Sequence, residues 1–203
     1  MILFGASMHS EVILDILFLN NISVEKIFDD LPVNEELYGV PIIKNEGNIE
    51  EDKAIISIGN NEVRKIIAEK YLLEYVSAFH PKSIISRFSK IGKGSVAMAN
   101  CVVNAGATIG DHCILNTGSV IEHDCEIENF VHISPNATLA GNVKIGEGTH
   151  VGIGACIIPG ITIGKWCTIG AGTVVTKNIP DFSVVVGNPG RIIKKMEDDE
   201  IYF

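Results

Sequence analysis

Of the six histidines in the chain, His123 is the one best placed to move a proton. An imidazole accepts a proton near pH 7, and a neighbouring carboxylate raises its basicity. His123 stands between Glu122 and Asp124, so a carboxylate is within reach on either side. His132 and His150 are 18 residues apart, a spacing that suits either a shared metal ion or simple surface stacking. Zinc needs about three converging ligands, and of His112, His123, His132 and His150 only His132 and His150 share a phase. No CxxC pair suggests zinc or redox use. Nearer the start, Gly5-Ala6-Ser7-Met8-His9, Asp29-Asp30 and Gly59-Asn60-Asn61 are turn-forming segments, and turns that open helices present backbone N–H groups suited to phosphate.

Those phases are set by a repeat. From Ile91 to Val175 every sixth residue is aliphatic, fifteen positions without a slip. Neither a strand (period 2) nor a helix (period 3.6) produces period six, whereas a solenoid of parallel β coils does. Three hexads make a coil, so His132 and His150 are expected to stack about 4.8 Å apart along the axis. His123 lies two residues after inward Ile121, hence at a corner. Cys101, Cys113, Cys125 and Cys167 each follow an inward residue by four, a place that takes small core side chains.

Residues 1–80 obey a different rule. Strands are expected at Met1–Gly5, Val24–Phe28, Ala54–Ile58 and Leu73–Phe79, with helices over Met8–Asn20 (apolar Val12, Ile13, Ile16 and Leu17) and from about Glu62 to Lys70. Strands alternating with helices predict a small parallel, Rossmann-like α/β sheet, and ligands of such sheets bind beyond the carboxyl ends of the strands. His80-Pro81 marks the expected boundary between a domain of residues 1–80 and a solenoid of residues 81–203. The register breaks at Asn178-Ile179-Pro180, and Val184–Arg191 supplies an edge strand and turn as a cap. The acidic run Glu197–Glu200 reads as a solvated end.

The net charge of −9 argues against a nucleic-acid backbone as partner. The excess is concentrated early, with 14 acids against 6 Lys and Arg in residues 1–80 and 11 against 10 thereafter. No apolar run approaches a membrane span, and the N-terminus lacks a signal peptide's basic segment and cleavage site. A cytoplasmic chain is therefore expected.

The hexads Ile145-Gly146-Glu147-Gly148-Thr149, Ile163-Gly164-Lys165-Trp166-Cys167 and Ile169-Gly170-Ala171-Gly172-Thr173 resemble those of acyltransferases that fold as left-handed β-helices. Add Gly5–His9, Phe28-Asp29-Asp30, Ile58–Arg64, Asn116-Thr117, Ile121-Glu122-His123 and Gly187-Asn188-Pro189, and nearly the whole chain resembles the sialic acid O-acetyltransferase (NeuD) family. Within it, the pattern is most similar to nucleotide-amino-sugar N-acetyltransferases such as UDP-N-acetylbacillosamine N-acetyltransferase. The resemblance implies a left-handed parallel β-helix and a homotrimer with active sites between subunits. It also implies acetyl-CoA as cosubstrate, no metal, and a nucleotide-linked amino sugar, with UDP the expected nucleotide, as acceptor in bacterial glycan synthesis.

By the same resemblance His123 is the general base and Asp124 its carboxylate partner, with Glu122 a substitute because Asp is one methylene shorter than the usual Glu. Asn116 would orient the acceptor, and Gly141, one coil beyond His123, would offer its N–H to the oxyanion. His132 would contact acetyl-CoA or its thioester carbonyl, with Ile153 and Ala171 lining the pantetheine groove. Ser7, Met8 and His9 fall at the phosphates, Asp29 and Asp30 near base or ribose, and Gly59 where the backbone closes on the ligand. Met8 stands where relatives have Gly, and would be strained if that position needed positive φ. O-acetylation of a sugar such as sialic acid uses the same groups. A zinc hydrolase of the γ-carbonic anhydrase type and a non-catalytic sugar-nucleotide sensor are the readings from other classes.

Overall fold

The computed structural model describes residues 1–47, 49 and 53–196; the acidic run at Glu197–Glu200 lies outside the described residues. The N-terminal unit is built on β1 (Ile2–Phe4), α1 (Met8–Leu19), β2 (Lys26–Asp29), β3 (Glu36–Leu37), β4 (Val40–Lys44), β5 (Lys53–Ile56), α2 (Asn61–Lys70) and β6 (Glu74–Tyr75). Its sheet runs β3-β4-β2-β1-β5-β6 and is parallel throughout except for the β3–β4 pair. All three residues of the central β1 are buried, as a strand covered on both faces requires.

Two features depart from the sequence expectation. The β3–β4 hairpin turns on Tyr38 (φ +50°) and Gly39 (φ +80°), and a two-residue turn with both φ positive matches the twist of the strands it joins. Tyr-Gly is a weak cue for that turn, so the hairpin was not foreseen. The expected strand Leu73–Phe79 is two strands. Glu74–Tyr75 closes the N-terminal sheet, whereas Ala78–Phe79 pairs with Val96–Ala97 and opens the solenoid. In α1, Ile13, Leu14, Ile16 and Leu17 are buried, but Val12 is turned outward.

From Ala78 the chain winds as a three-faced prism of two-residue strands, each as far as Cys156–Ile157 paired in parallel with the strand 18 residues on. The second residue of each strand points inward, and from Ala97 to Val175 every one is buried. A second inward column runs Ser95, Cys101, Ala107, Cys113 and on to Cys167 and Thr173, all buried. Four of the five cysteines are therefore core residues of this column, and Cys156 alone is exposed. The residue ahead of that column has a left-handed backbone at every corner from Gly94 to Gly172. Seven of these corner positions are Gly, and three more are Asn100, Asn136 and Asn142, residues that tolerate positive φ.

The two units share one apolar core. Leu3, Ile13 and Leu17 pack in the same cluster as Ala78, Val96, Met98 and Ile114 of the first coils. At the other end, Ile179 bridges to Ile163, Ser183–Val186 pairs with Thr168–Ile169, and Arg191–Lys195 returns antiparallel over it. Among the described residues no helix is long and apolar enough to cross a membrane.

Candidate active site

His123 occupies a corner between the strands Val120–Ile121 and Glu126–Ile127, with a largely exposed ring. Asp124 is that corner's left-handed residue, φ +59°. The backbone turn brings its carboxylate back on the ring, Oδ2 lying 2.9 Å from His123 Nδ1. The shorter acid therefore reaches, and Glu122 is occupied otherwise, its Oε2 accepting the His123 backbone N–H at 3.3 Å. A carboxylate only accepts, so Nδ1 carries a proton, and in the neutral ring the lone pair is the one on Nε2. The ring lies flat over Gly141: a Cβ there would sit 2.6 Å from both Cε1 and Nε2. The Gly141 amide makes no hydrogen bond among the described residues.

A separate cleft of 480 Å³ brings together Asn116, His132, Ile153 and Ala171, with Ser134 and His150 also in its wall. The rings of His132 and His150 stack at 4.8 Å and 11°, as the 18-residue spacing predicts. Asn116 Nδ2 is 3.1 Å from His132 Nε2, and Ser134 Oγ is 2.7 Å from His150 Nε2. Burial drives the His132 pKa down to about 2, helped by His150, Arg64 and His9, while burial and then Arg64 lower that of His150. Both rings are neutral at pH 7. His112 belongs to a different corner, stacked on Phe130 and edge-on to Tyr75, so the four histidines considered for zinc do not converge.

The N-terminal segments divide between two places. Gly5, Asp29, Asp30, Asn45 and Ile58 line a cleft of 210 Å³ at the ends of β1 and β2. Asp29 accepts from Ala6 N (2.7 Å) and Leu31 N (2.9 Å), so it shapes both loops of the cleft. Asp30 accepts from the Asn45 side chain at 2.9 Å. The left-handed residue of the first loop is Gly5 (φ +95°). Met8 is instead the exposed first residue of α1 and carries no such strain. Ser10 is buried with its hydroxyl on the Gly5 carbonyl.

Ser7, Met8, His9 and Gly59 do not line the cleft of Asp29 and Asp30. His9 turns toward the solenoid, its ring 6.4 Å from that of His132; burial and Arg64 lower its pKa to about 4, and Nε2 has no partner among the described residues. Gly59 lines a third cleft, of 300 Å³, with Glu62, His150, Trp166 and Thr168.

Sequence reasoning missed Arg64, the one buried residue of α2. Ile67 and Ala68, three and four residues on, pack partly against the N-terminal core, but an arginine is ordinarily a solvated residue type, so Arg64 itself is not marked as internal. It also missed the corner of His112, Phe130 and Trp166, three bulky left-handed residues on the edge that faces the N-terminal unit. The sixfold recurrence of Gly, Asn and Asp at that phase was a usable signal.

Within one chain, the His123 corner and the cleft of Asn116 and His132 lie on different edges of the prism, separated by the face that carries Val120–Ile121. Residues 1–71 match the PglD N-terminal domain, and residues 88–123, 106–141 and 142–177 match the bacterial transferase hexapeptide (six repeats). Curated relatives from Staphylococcus aureus are 44% identical over 71 residues, a match that spans 36% of their own length. GDP-perosamine N-acetyltransferase from Escherichia coli O157:H7 is 32% identical over 149 residues, 69% of this chain and 67% of that one. Perosamine N-acetyltransferase from Caulobacter crescentus, solved in mutant form with CoA and GDP-perosamine, superposes with a TM-score of 0.92 at 32% identity, covering 96% of each chain. The acetyltransferase domain of PglB from Neisseria gonorrhoeae, solved with acetyl coenzyme A, gives 0.87 at 34% identity, covering 95% of this chain and 98% of that one. With its PglD-type N-terminal domain and unbroken hexapeptide solenoid, the chain belongs to the hexapeptide-repeat acetyltransferases that include the nucleotide-amino-sugar N-acetyltransferases.

Proposed function

We propose that this protein transfers the acetyl group of acetyl-CoA to the 4-amino group of a nucleotide-linked amino sugar, with His123 as general base. The observation that carries the reading is the His123–Asp124 pair lying over Gly141, with the ring's Nε2 beside an unspent backbone amide. As the amine attacks the thioester carbonyl, Nε2 takes its proton and Asp124 steadies the imidazolium. The Gly141 N–H holds the tetrahedral oxyanion. The C–S bond then breaks, and the proton passes from the imidazolium to the departing thiolate, leaving the amide and CoA.

The acetyl-CoA arm would lie in the cleft of Ile153 and Ala171, with Asn116 orienting the acceptor and His132 at the acyl end. Because that cleft and His123 stand on different edges of one prism, a homotrimer with sites between copies supplies the pairing. Cyclic closure of identical prism faces is the simplest way to make it. The nucleotide would enter the cleft of Asp29 and Asp30, its phosphates near the Ser7–His9 turn and Gly59, in an N-terminal domain distinct from the acyl-transfer solenoid, whose first strand at Ala78–Phe79 begins just ahead of the boundary expected between residues 80 and 81. We place the enzyme in the cytoplasm, in bacterial glycan synthesis.

UDP was the nucleotide expected from the sequence, but two of the relatives act on or bind GDP-perosamine, which makes GDP its direct competitor. The test is CoA release from acetyl-CoA with UDP-, dTDP- and GDP-linked 4-amino sugars, and with free sialic acid for the O-acetyl alternative. A kcat/KM highest for one nucleotide-amino sugar supports the reading; turnover of sialic acid alone overturns it. Asp29→Ala, which frees the loops at Ala6 and Leu31, should weaken nucleotide-sugar binding and leave CoA affinity unchanged. Equal loss of both in calorimetric titrations contradicts the two-site assignment.

A further inference from the structure

The cleft of 300 Å³ that Gly59 lines lies between the two places given to the substrates. Gly59 directly follows Ile58 of the Asp29–Asp30 cleft, while His150 and Thr168 are shared with the cleft of Ile153 and Ala171. Its walls come from both units and are tied together. Asn61 Nδ2 donates to the Gly148 carbonyl at 3.0 Å, and Arg64 donates across the junction to the carbonyls of His112 (2.8 Å) and Phe130 (3.0 Å). The cleft is therefore preformed, as small-molecule sites usually are.

Two side chains in its wall stand out. Glu62 comes from the first turn of α2, and its Oε1 is shielded from solvent with no hydrogen-bond partner among the described residues. An acceptor left unpaired there is costly, and a donor from a ligand would relieve it. Trp166 is left-handed, φ +51°, at a corner phase that Gly and Asn fill in most coils. A bulky residue is unfavourable in that region, and such strain gathers where a ligand is held. The indole lies flat against Gly148, where a Cβ would collide with it. The Lys65 ammonium is 5.5 Å from the ring centre and is itself paired with Glu147 at 2.5 Å.

An indole face beside a carboxylate, an imidazole and a hydroxyl suits a pyranose, whose C–H face packs on the ring and whose hydroxyls donate to the carboxylate. It does not suit a phosphate, which the Glu62 carboxylate would repel. We infer that this cleft is the pyranose subsite of the acceptor: Trp166 carries the C–H face of the sugar, Glu62 accepts its hydroxyls, and the two set which nucleotide-linked amino sugar is acetylated. The diphosphate then stops at the Gly59 turn and the sugar lies beyond it. His150, stacked at 4.8 Å on His132, forms the wall on the acyl side. The inference rests on the acetyltransferase reading for the identity of the ligand.

Trp166 is the chain's one tryptophan, so its fluorescence reports on the cleft in the unmodified protein. Titration with UDP-, dTDP- and GDP-linked 4-amino sugars should change the emission saturably, at the Kd that calorimetry gives for the same ligand. The matching nucleoside diphosphate without the sugar, and CoA alone, should leave it unchanged. Glu62→Gln keeps the shape and removes the charge, so KM for the nucleotide sugar should rise about 10-fold while KM for acetyl-CoA holds. Trp166→Phe should keep most of the affinity. Trp166→Asn should lose it without lowering Tm, because Asn suits a left-handed corner. A bound nucleotide sugar with unmoved emission overturns the subsite alone, as does a response to CoA or an unaltered KM in both Glu62→Gln and Trp166→Asn. If no nucleotide-linked amino sugar binds, the acceptor reading falls and the subsite with it.

Discussion

At His123, geometry supplies what residue type alone leaves open. The left-handed backbone of Asp124 folds a short carboxylate onto Nδ1, so the missing methylene relative to Glu does not matter. Removing the imidazole in His123→Ala should lower kcat by roughly 10²–10⁴-fold, the worth of general-base catalysis. Gly141→Ala should reduce kcat without altering the fold, because its backbone φ is ordinary and the new Cβ would displace only the exposed His123 ring. Wild-type turnover by Gly141→Ala would show that the ring does not work from this position.

The buried histidines set a pH window for stability. Burial holds His9 and His112 at about 4 and His132 at about 2, against the ordinary 6.5. As pH falls below about 6.5 the unfolded chain binds protons that the folded chain refuses, so the stability from these neutral rings is complete above that pH. It is lost progressively down toward about 4, at up to about 1.4 kcal/mol per pH unit for one fully buried histidine. Thermal melting should show a falling Tm between pH 7 and 5, and a flat profile there would contradict it.

At the scale of elements, each corner demands a left-handed residue and each strand one inward aliphatic. Asn100 is an exposed corner with φ +57°. Asn100→Ala should cost about 1–2 kcal/mol, the penalty for an ordinary residue in that region, and Asn100→Gly close to nothing. Urea denaturation separates the two, and equal losses would mean the side chain, not the backbone, matters. The aliphatic column was legible in the sequence because only a coil has period six, and with it came the corner of His123 and the stack of His132 on His150. The hairpin at Tyr38-Gly39 was not, because its turn lacks the usual Asn or Asp. Leu73–Phe79 looked like one strand because both halves are apolar, although they serve different sheets. Arg64 was illegible for a deeper reason: beside its local partners Ile58, Gly59 and Asn61, it donates to the carbonyls of His112 and Phe130 in distant turns, which no local pattern encodes.

For the whole molecule, the shared core of Ile13, Leu17, Val96 and Ile114 fixes the nucleotide-side loops against the solenoid, while His123 faces away on another edge. On the proposed reading the enzyme would complete its site with a second copy, whose cleft would supply the thioester to the first copy's base. Two inactive chains measure this directly: His123→Ala, which keeps the cleft, and Ala171→Trp, which fills it but keeps the base. Unfolded and refolded together in equal amounts, they should regain activity, since about one interface in four pairs an intact base with an intact cleft. Recovery near a quarter of the wild-type rate is the expected result, and a mixture as inactive as either chain alone would contradict a site shared between copies.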